Sequence, residues 1–114
     1  MELNELIEYI KVFCEDRDWD QYHNPKDLAI GISTEAAELL DLFRFKNGEE
    51  IQETMITKKE HIEDELADVL FFVLRFAQTN NIDLRSALTH KMEKNALKYP
   101  IEKVKGNNKK YNEY

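Results

Sequence analysis

The sequence predicts an all-α fold: a four-helix-bundle-like domain over residues 1–100, completed by self-association. Three observations lead there. Glycine and proline are scarce, 3 and 2 among 114 residues, so little of the chain is punctuated by turns. No window alternates apolar and polar residues over the length of a strand. Four stretches instead repeat apolar residues at steps of three and four, and three of them open on a capping signal.

The first helix is predicted over 3–17, where Leu3, Leu6, Ile7, Ile10, Phe13 and Cys14 form one apolar stripe. A connector from Asp18 to His23 leads to Asn24-Pro25, an N-cap followed by proline at the first helical position. The second helix carries Leu28 to Phe45 and stops at Asn47-Gly48. Residues 48–56 read as a polar loop or a ragged extension. Thr57 and Glu60 then have the spacing of a capping box for a third helix. That helix runs through Val69-Leu70-Phe71-Phe72-Val73-Leu74 and ends near Asn80-Asn81. Asp83 caps a fourth, with Leu84, Ala87, Leu88 and Met92 on its apolar side and Pro100 as its stop. Residues 101–114 form a polar tail with little to bury, expected to be flexible. The third helix is apolar around much of its circumference, more than three neighbours can cover, which predicts a homodimer or homotetramer.

Composition excludes several classes of function. A net charge of −7 argues against binding a nucleic-acid polymer or an acidic membrane, both of which need a basic surface. No apolar run approaches the roughly 20 residues of a membrane helix, and the start, MELNELIEYIK, is acidic and amphipathic, unlike a signal peptide. The single cysteine, Cys14, reads as a buried apolar group and fits a reducing, cytoplasmic setting. The basic residues from Lys103 to Lys110 read as a solvated tail.

The chemistry concentrates in two acidic pairs, Glu35-Ala36-Ala37-Glu38 and Glu65-Leu66-Ala67-Asp68. Leu28, Ile32, Glu35, Leu39 and Leu42 lie along one helical stripe, and Ile62, Glu65, Val69, Phe72 and Phe76 along another. In each, a carboxylate interrupts a seam that should face a core, with a second acid one turn on. A lone ion there is strongly unfavourable, so it must be neutralised by a proton, a cationic side chain or a metal. The 26 residues between the pairs allow a turn and an antiparallel return, bringing four carboxylates together. An all-oxygen set without Glu-x-x-His spacing favours Mg²⁺, with Mn²⁺ as a substitute, over zinc or iron. Mg²⁺ held incompletely by protein takes water and phosphate oxygens, so phosphoanhydride or phosphate-ester chemistry is expected. Asp41, Asp64 and His61 read as solvated groups beside the cluster, and His23 and His90 have no partner that spacing identifies.

At these residues the chain resembles the MazG-like all-α nucleotide pyrophosphohydrolases, and within them the dCTP-pyrophosphatase-type branch. The resemblance covers roughly 15 to 100. It rests on Arg17-Asp18-Trp19-Asp20-Gln21-Tyr22-His23, Pro25-Lys26-Asp27-Leu28, the two acidic pairs, and Lys91-Met92-Glu93-Lys94-Asn95 with Tyr99-Pro100. It implies a MazG-type fold and hydrolysis of a nucleoside triphosphate to the monophosphate and pyrophosphate. Glu35, Glu38, Glu65 and Asp68 would be the Mg²⁺ ligands and catalytic groups, with water attacking the α-phosphorus and Glu38 orienting or deprotonating it. Lys91 and Lys94 would offset phosphate charge. Trp19, Phe45 and Phe72 would form a slot for the base, with Asn95 as a polar reader. Members that prefer cytosine carry Trp at the position of Phe45, Tyr at that of Phe72 and His at that of Ile10. Three apolar residues here imply a different or broader base preference. The competing expectations are phosphoribosyl-ATP pyrophosphohydrolase and a non-catalytic helical module that binds nucleotide or metal.

Overall fold

The computed structural model describes residues 1–108 and 112. Among the described residues there are six α-helices, a short 3-10 turn and no strand. The chain divides into two compact units, Met1–Ile82 and Asp83–Tyr114.

The first unit is organised around α4 (Lys59–Thr79). Along it α2 (Pro25–Asp41) packs most extensively, and α1 (Leu3–Asp16) and α3 (Glu49–Thr57) also rest on it. The apolar core is small: Cys14 from α1, Leu28 from α2, and Ile62, Leu74 and Ala77 from α4 are buried. Cys14 is thus the buried thiol the sequence predicts, and burial pushes its pKa up.

Local chemistry sets the element boundaries. Asp18 adopts a left-handed backbone (φ 58°) just after α1, and the chain turns through a 3-10 segment, Trp19–Gln21. The Asn24 side-chain oxygen accepts the Asp27 backbone N–H at 2.9 Å, with Pro25 in the first turn, so the predicted N-cap of α2 is formed. The far end differs from expectation. α2 stops at Asp41 rather than running to Phe45, because the Leu42 and Phe43 N–H groups donate three residues back, to Leu39 and Leu40. That tightening ends the α-helical ladder, and Phe45 leaves it with φ 66°.

Residues 48–56, expected as a polar loop or a ragged extension, largely form α3. The positive φ of Gly48 (53°) turns the chain into it, and Glu50 Oε1 accepts the Asn47 N–H at 3.2 Å. The capping box at Thr57 and Glu60 is not made. Thr57 Oγ1 donates to the Glu53 carbonyl at 3.1 Å, still belonging to α3, and Lys58 is the N-cap of α4 with no side-chain cap.

The two principal helices run antiparallel. Phe72 meets Gly31, Asp68 acts electrostatically on Glu35, and Glu65 lies beside Glu38, so the pairing climbs one helix as it descends the other. The outward side chains of α4, Leu66 and Leu70, remain about half exposed.

In the second unit, Asp83 caps α5 (Leu84–Lys98) as predicted, accepting the Ser86 N–H at 3.3 Å and its hydroxyl at 3.1 Å. Pro100 follows the helix, but the predicted tail opens with a further short helix, α6 (Ile101–Val104). The rest of the tail at 109–111, 113 and 114 lies outside the described residues. Among the described residues no helix is long and apolar enough to cross a membrane.

Candidate active site

The antiparallel register brings the two acidic pairs face to face. Carboxylate oxygens of Glu35, Glu38 and Glu65 lie within 4.8 Å of one another. Glu65 is buried, 9% exposed, Glu35 is partly buried and Glu38 is open to solvent. Asp68, also exposed, stands outside that tight triad, yet its charge bears on Glu35.

The electrostatics are those of a site short of positive charge. Burial is the largest cause raising the pKa of Glu35, followed by the adjacent Glu38 carboxyl, with Asp68 and Glu65 adding; together they push it up to about 7. Glu65 is raised first by Glu38 and then by burial. Oε2 of Glu35 and Oε2 of Glu65 are both buried without a hydrogen-bond partner. Two buried, unpartnered carboxylate oxygens in one cluster are costly unless something cationic meets them. His61 approaches at the rim, its Nε2 3.2 Å from Glu65 Oε1, and lowers the Glu65 pKa in opposition to Glu38. His61 is exposed, as the sequence predicts, but it touches the cluster rather than standing apart from it. Asp41 pairs loosely with Arg44 at 3.8 Å in solvent, and Asp64 is exposed, as expected for both. A donor set made only of carboxylates, with unsatisfied oxygens, fits a hard divalent cation.

The aromatic candidates divide. Trp19, 37% exposed, meets Phe13 edge-on at 5.7 Å between ring centroids; Phe13 meets Phe71 at 6.5 Å, and Phe71 meets Phe72 at 5.2 Å. Trp19 and Phe72 therefore belong to one row of rings crossing from the connector to α4. Arg17 braces the row, its guanidinium 3.6 Å from the Phe13 ring centre and its Nη1 donating to the Phe13 carbonyl at 3.0 Å. Phe45 does not join it. Its side chain is 85% exposed, on a left-handed backbone, with the Arg44 guanidinium 4.8 Å from its ring centre. Ile10, on α1, is partly buried.

Lys91, Lys94 and Asn95 lie on α5, in the second unit. The two lysines are exposed, whereas Asn95 is partly buried and its Nδ2 stands 4.0 Å from Met92 Sδ.

Sequence reasoning overlooked one group. Arg75, on α4, is 1% exposed and pairs with Asp20 and His23 of the connector. The signal was available: a single cation inside the apolar run from Val69 to Ala77 mirrors the anions inside the stripes of α2 and α4. With 3.6 residues per turn, Glu65, Asp68, Phe72 and Arg75 fall within an arc of about 80° on α4.

With this geometry in place, comparison with known proteins is informative. Residues 30–114 match the model of the MazG-like family. Mouse dCTP pyrophosphatase 1 is 34% identical over 101 residues, 87% of this chain and 59% of its own length. Human dCTP pyrophosphatase 1 is 32% identical over 103 residues, covering 89% of this chain and 61% of its own. The chain thus spans about three-fifths of the length of the curated relatives it matches. A pyrophosphatase crystal structure from Archaeoglobus fulgidus superposes with a TM-score of 0.82 at 40% identity, covering 85% of this chain and 91% of that one.

Proposed function

The chain belongs to the MazG-like family, and we propose that it is a nucleoside triphosphate pyrophosphohydrolase, cleaving a (d)NTP to the (d)NMP and pyrophosphate in nucleotide-pool house-cleaning. The observation that carries this reading is the convergence of Glu35, Glu38 and Glu65 within 4.8 Å, with two of their oxygens buried and unpartnered. The names of the relatives, dCTP pyrophosphatase and pyrophosphatase, support the same reaction.

Glu35, Glu38, Glu65 and Asp68 would hold Mg²⁺, or Mn²⁺ in its place. A divalent cation bound there supplies neutralisation of phosphate charge and activation of water. The protein's own contribution begins with Glu35 and Glu65, whose partly desolvated carboxylates would fix where the cation sits. Glu38, the solvent-accessible member of the triad, is assigned to orient the attacking water and take its proton. Trp19 and Phe72 offer flat apolar faces to a base, and Lys91, Lys94 and Asn95 are assigned to the phosphates and base by resemblance. Phe45, Phe72 and Ile10 stand where cytosine-preferring members carry polar-handled side chains, which supports a different or broader base preference. The half-exposed Leu66 and Leu70 on α4 support a working homo-oligomer.

The decisive assay is pyrophosphate release across a panel of common and modified dNTPs, in Mg²⁺ and in EDTA. Metal-dependent release with monophosphate as co-product is expected. A folded protein that releases none would be read instead as a nucleotide- or metal-binding module, and a panel in which cytosine alone is accepted would refute the broader preference.

A further inference from the structure

Among the described residues, Arg75 is the largest fully buried side chain, 1% exposed. Each of its three nitrogens has its own partner. Nε donates to His23 Nδ1 at 2.8 Å, Nη1 donates to Gln78 Oε1, and Nη2 pairs with the Asp20 carboxylate. Gln78 is one turn away on the same helix, but Asp20 and His23 are 55 and 52 residues distant, on the connector between α1 and α2. Burying a guanidinium is unfavourable enough that an apolar residue of similar size would stabilise the fold at least as well. What an apolar residue cannot do is hold a loop by two directed bonds.

Besides the Arg75 bonds and the Trp19–Phe13 ring contact, the connector is held by bonds among neighbouring residues. Its own structure consists of one 3-10 turn, a left-handed Asp18 and a bond from Gln21 Nε2 to the Asp18 carbonyl at 3.0 Å. Trp19 sits within it, its ring 5.9 Å from that of His23. Because Arg75 donates to Nδ1, the neutral His23 ring must carry its proton on Nε2. Burial, and then the Arg75 charge, lower the His23 pKa and so favour that neutral form.

We propose that Arg75 is a positioning residue for the base-binding side of the site: it clamps the Trp19–His23 connector onto α4 and holds His23 in one tautomer beside the indole. The role in nucleotide binding rests on the reading of the acidic cluster given above. The clamp itself is a matter of geometry. Asp20, with 60% of its side chain exposed, is the outer jaw, and Arg75 is the buried one.

The test uses Arg75→Met, Arg75→Lys and Asp20→Ala in the full chain, with the single tryptophan as reporter. For the best nucleotide of the panel, KM should rise about tenfold in Arg75→Met and Asp20→Ala, while kcat at saturation stays within about twofold. Trp19 emission should shift to the red and become more quenchable by acrylamide in both. Arg75→Lys keeps the charge without the fork and should not restore either property. Should Arg75→Met lose its helical circular dichroism, Asp20→Ala, altered at the exposed jaw, carries the test. The proposal is overturned if Arg75→Lys or Asp20→Ala keeps wild-type KM and Trp19 emission, or if kcat falls while KM does not. Inactivity of the wild-type protein would refute the pyrophosphohydrolase reading and with it the nucleotide half of the proposal. Unchanged Trp19 emission in the variants would refute the clamp whatever the activity.

Discussion

The ring of Phe72 fills the space that a side chain on Gly31 would need: its carbons lie 2.5 Å from where a β-carbon would stand. Gly31→Ala should gain about 1 kcal/mol of helix propensity, but the ring would have to move against Phe71, and overpacking of that kind costs about 1–3 kcal/mol. Net destabilisation is expected in a urea melt, together with a changed KM for nucleotide. A more stable Gly31→Ala protein would mean that the ring swings aside freely.

The acidic cluster lacks compensating charge, so Mg²⁺ should raise the melting temperature by mass action on the folded state. Saturation at a hundred times Kd corresponds to about 2.7 kcal/mol. Thermal melts with millimolar MgCl₂ and with EDTA measure this directly, and coincident curves would contradict a preformed cation site.

The pH dependence follows from Glu35. Its pKa rises from 4.5 to about 7 on folding, so between those values the folded state binds more protons than the unfolded one. Metal-free stability from this group is therefore fully present below 4.5 and is lost as pH rises through about 7. A cation replaces the lost proton, and the stabilisation by Mg²⁺ should grow from pH 5 to pH 8. Melts at four pH values, each with and without Mg²⁺, would show this as a widening gap; a constant gap would mean that Glu35 ionises normally.

Glu38→Gln removes the solvent-facing carboxylate while keeping its size. Turnover should fall by about 10² to 10⁴ with helical content unchanged. Retained turnover would move the role of base to another group.

Asn24→Ala removes the side-chain acceptor for the Asp27 N–H and the 2.8 Å bond from Asn24 Nδ2 to Asp27 Oδ2. A loss of about 1 kcal/mol is expected in a denaturant melt. No measurable loss would show that proline at the first helical position suffices to start α2.

What could be read in the chain was what is written locally. The Asn24 and Asp83 caps, the seam of α1 and the two interrupted stripes each depend on residues within a turn or two of one another. The α3 helix is short, and its apolar residues Ile51, Met55 and Ile56 stay exposed while Thr54, its one buried residue, has its hydroxyl satisfied by the Glu50 carbonyl at 2.8 Å, so a loop and a helix are hard to tell apart there. The supposed cap at Thr57 failed because a hydroxyl can equally bond back into the helix it ends, as it does here. The end of α2 was placed too late because Asn47-Gly48 marks where the turn finishes rather than where it starts. For the site, the spacing of the acids predicts that four carboxylates converge; Glu35, Glu38 and Glu65 come within 4.8 Å of one another, while Asp68 stands outside that group. The Arg75 clamp joins residues more than fifty apart, and no periodicity records such a meeting.

Glu65, Asp68, Phe72 and Arg75 all belong to one uninterrupted helix of 21 residues. That helix acts as a ruler, with each mark set 1.5 Å and about 100° from the next. Exchanging Phe72 or Arg75 can change the row of rings or the hold on the connector without displacing the acids. Inserting or deleting one residue between Asp68 and Phe72 would instead rotate everything beyond it by a quarter turn or more, aiming the ring and the guanidinium elsewhere. The chemistry of this protein should therefore diversify by substitution within α4, while changes of length are confined to the turns around it.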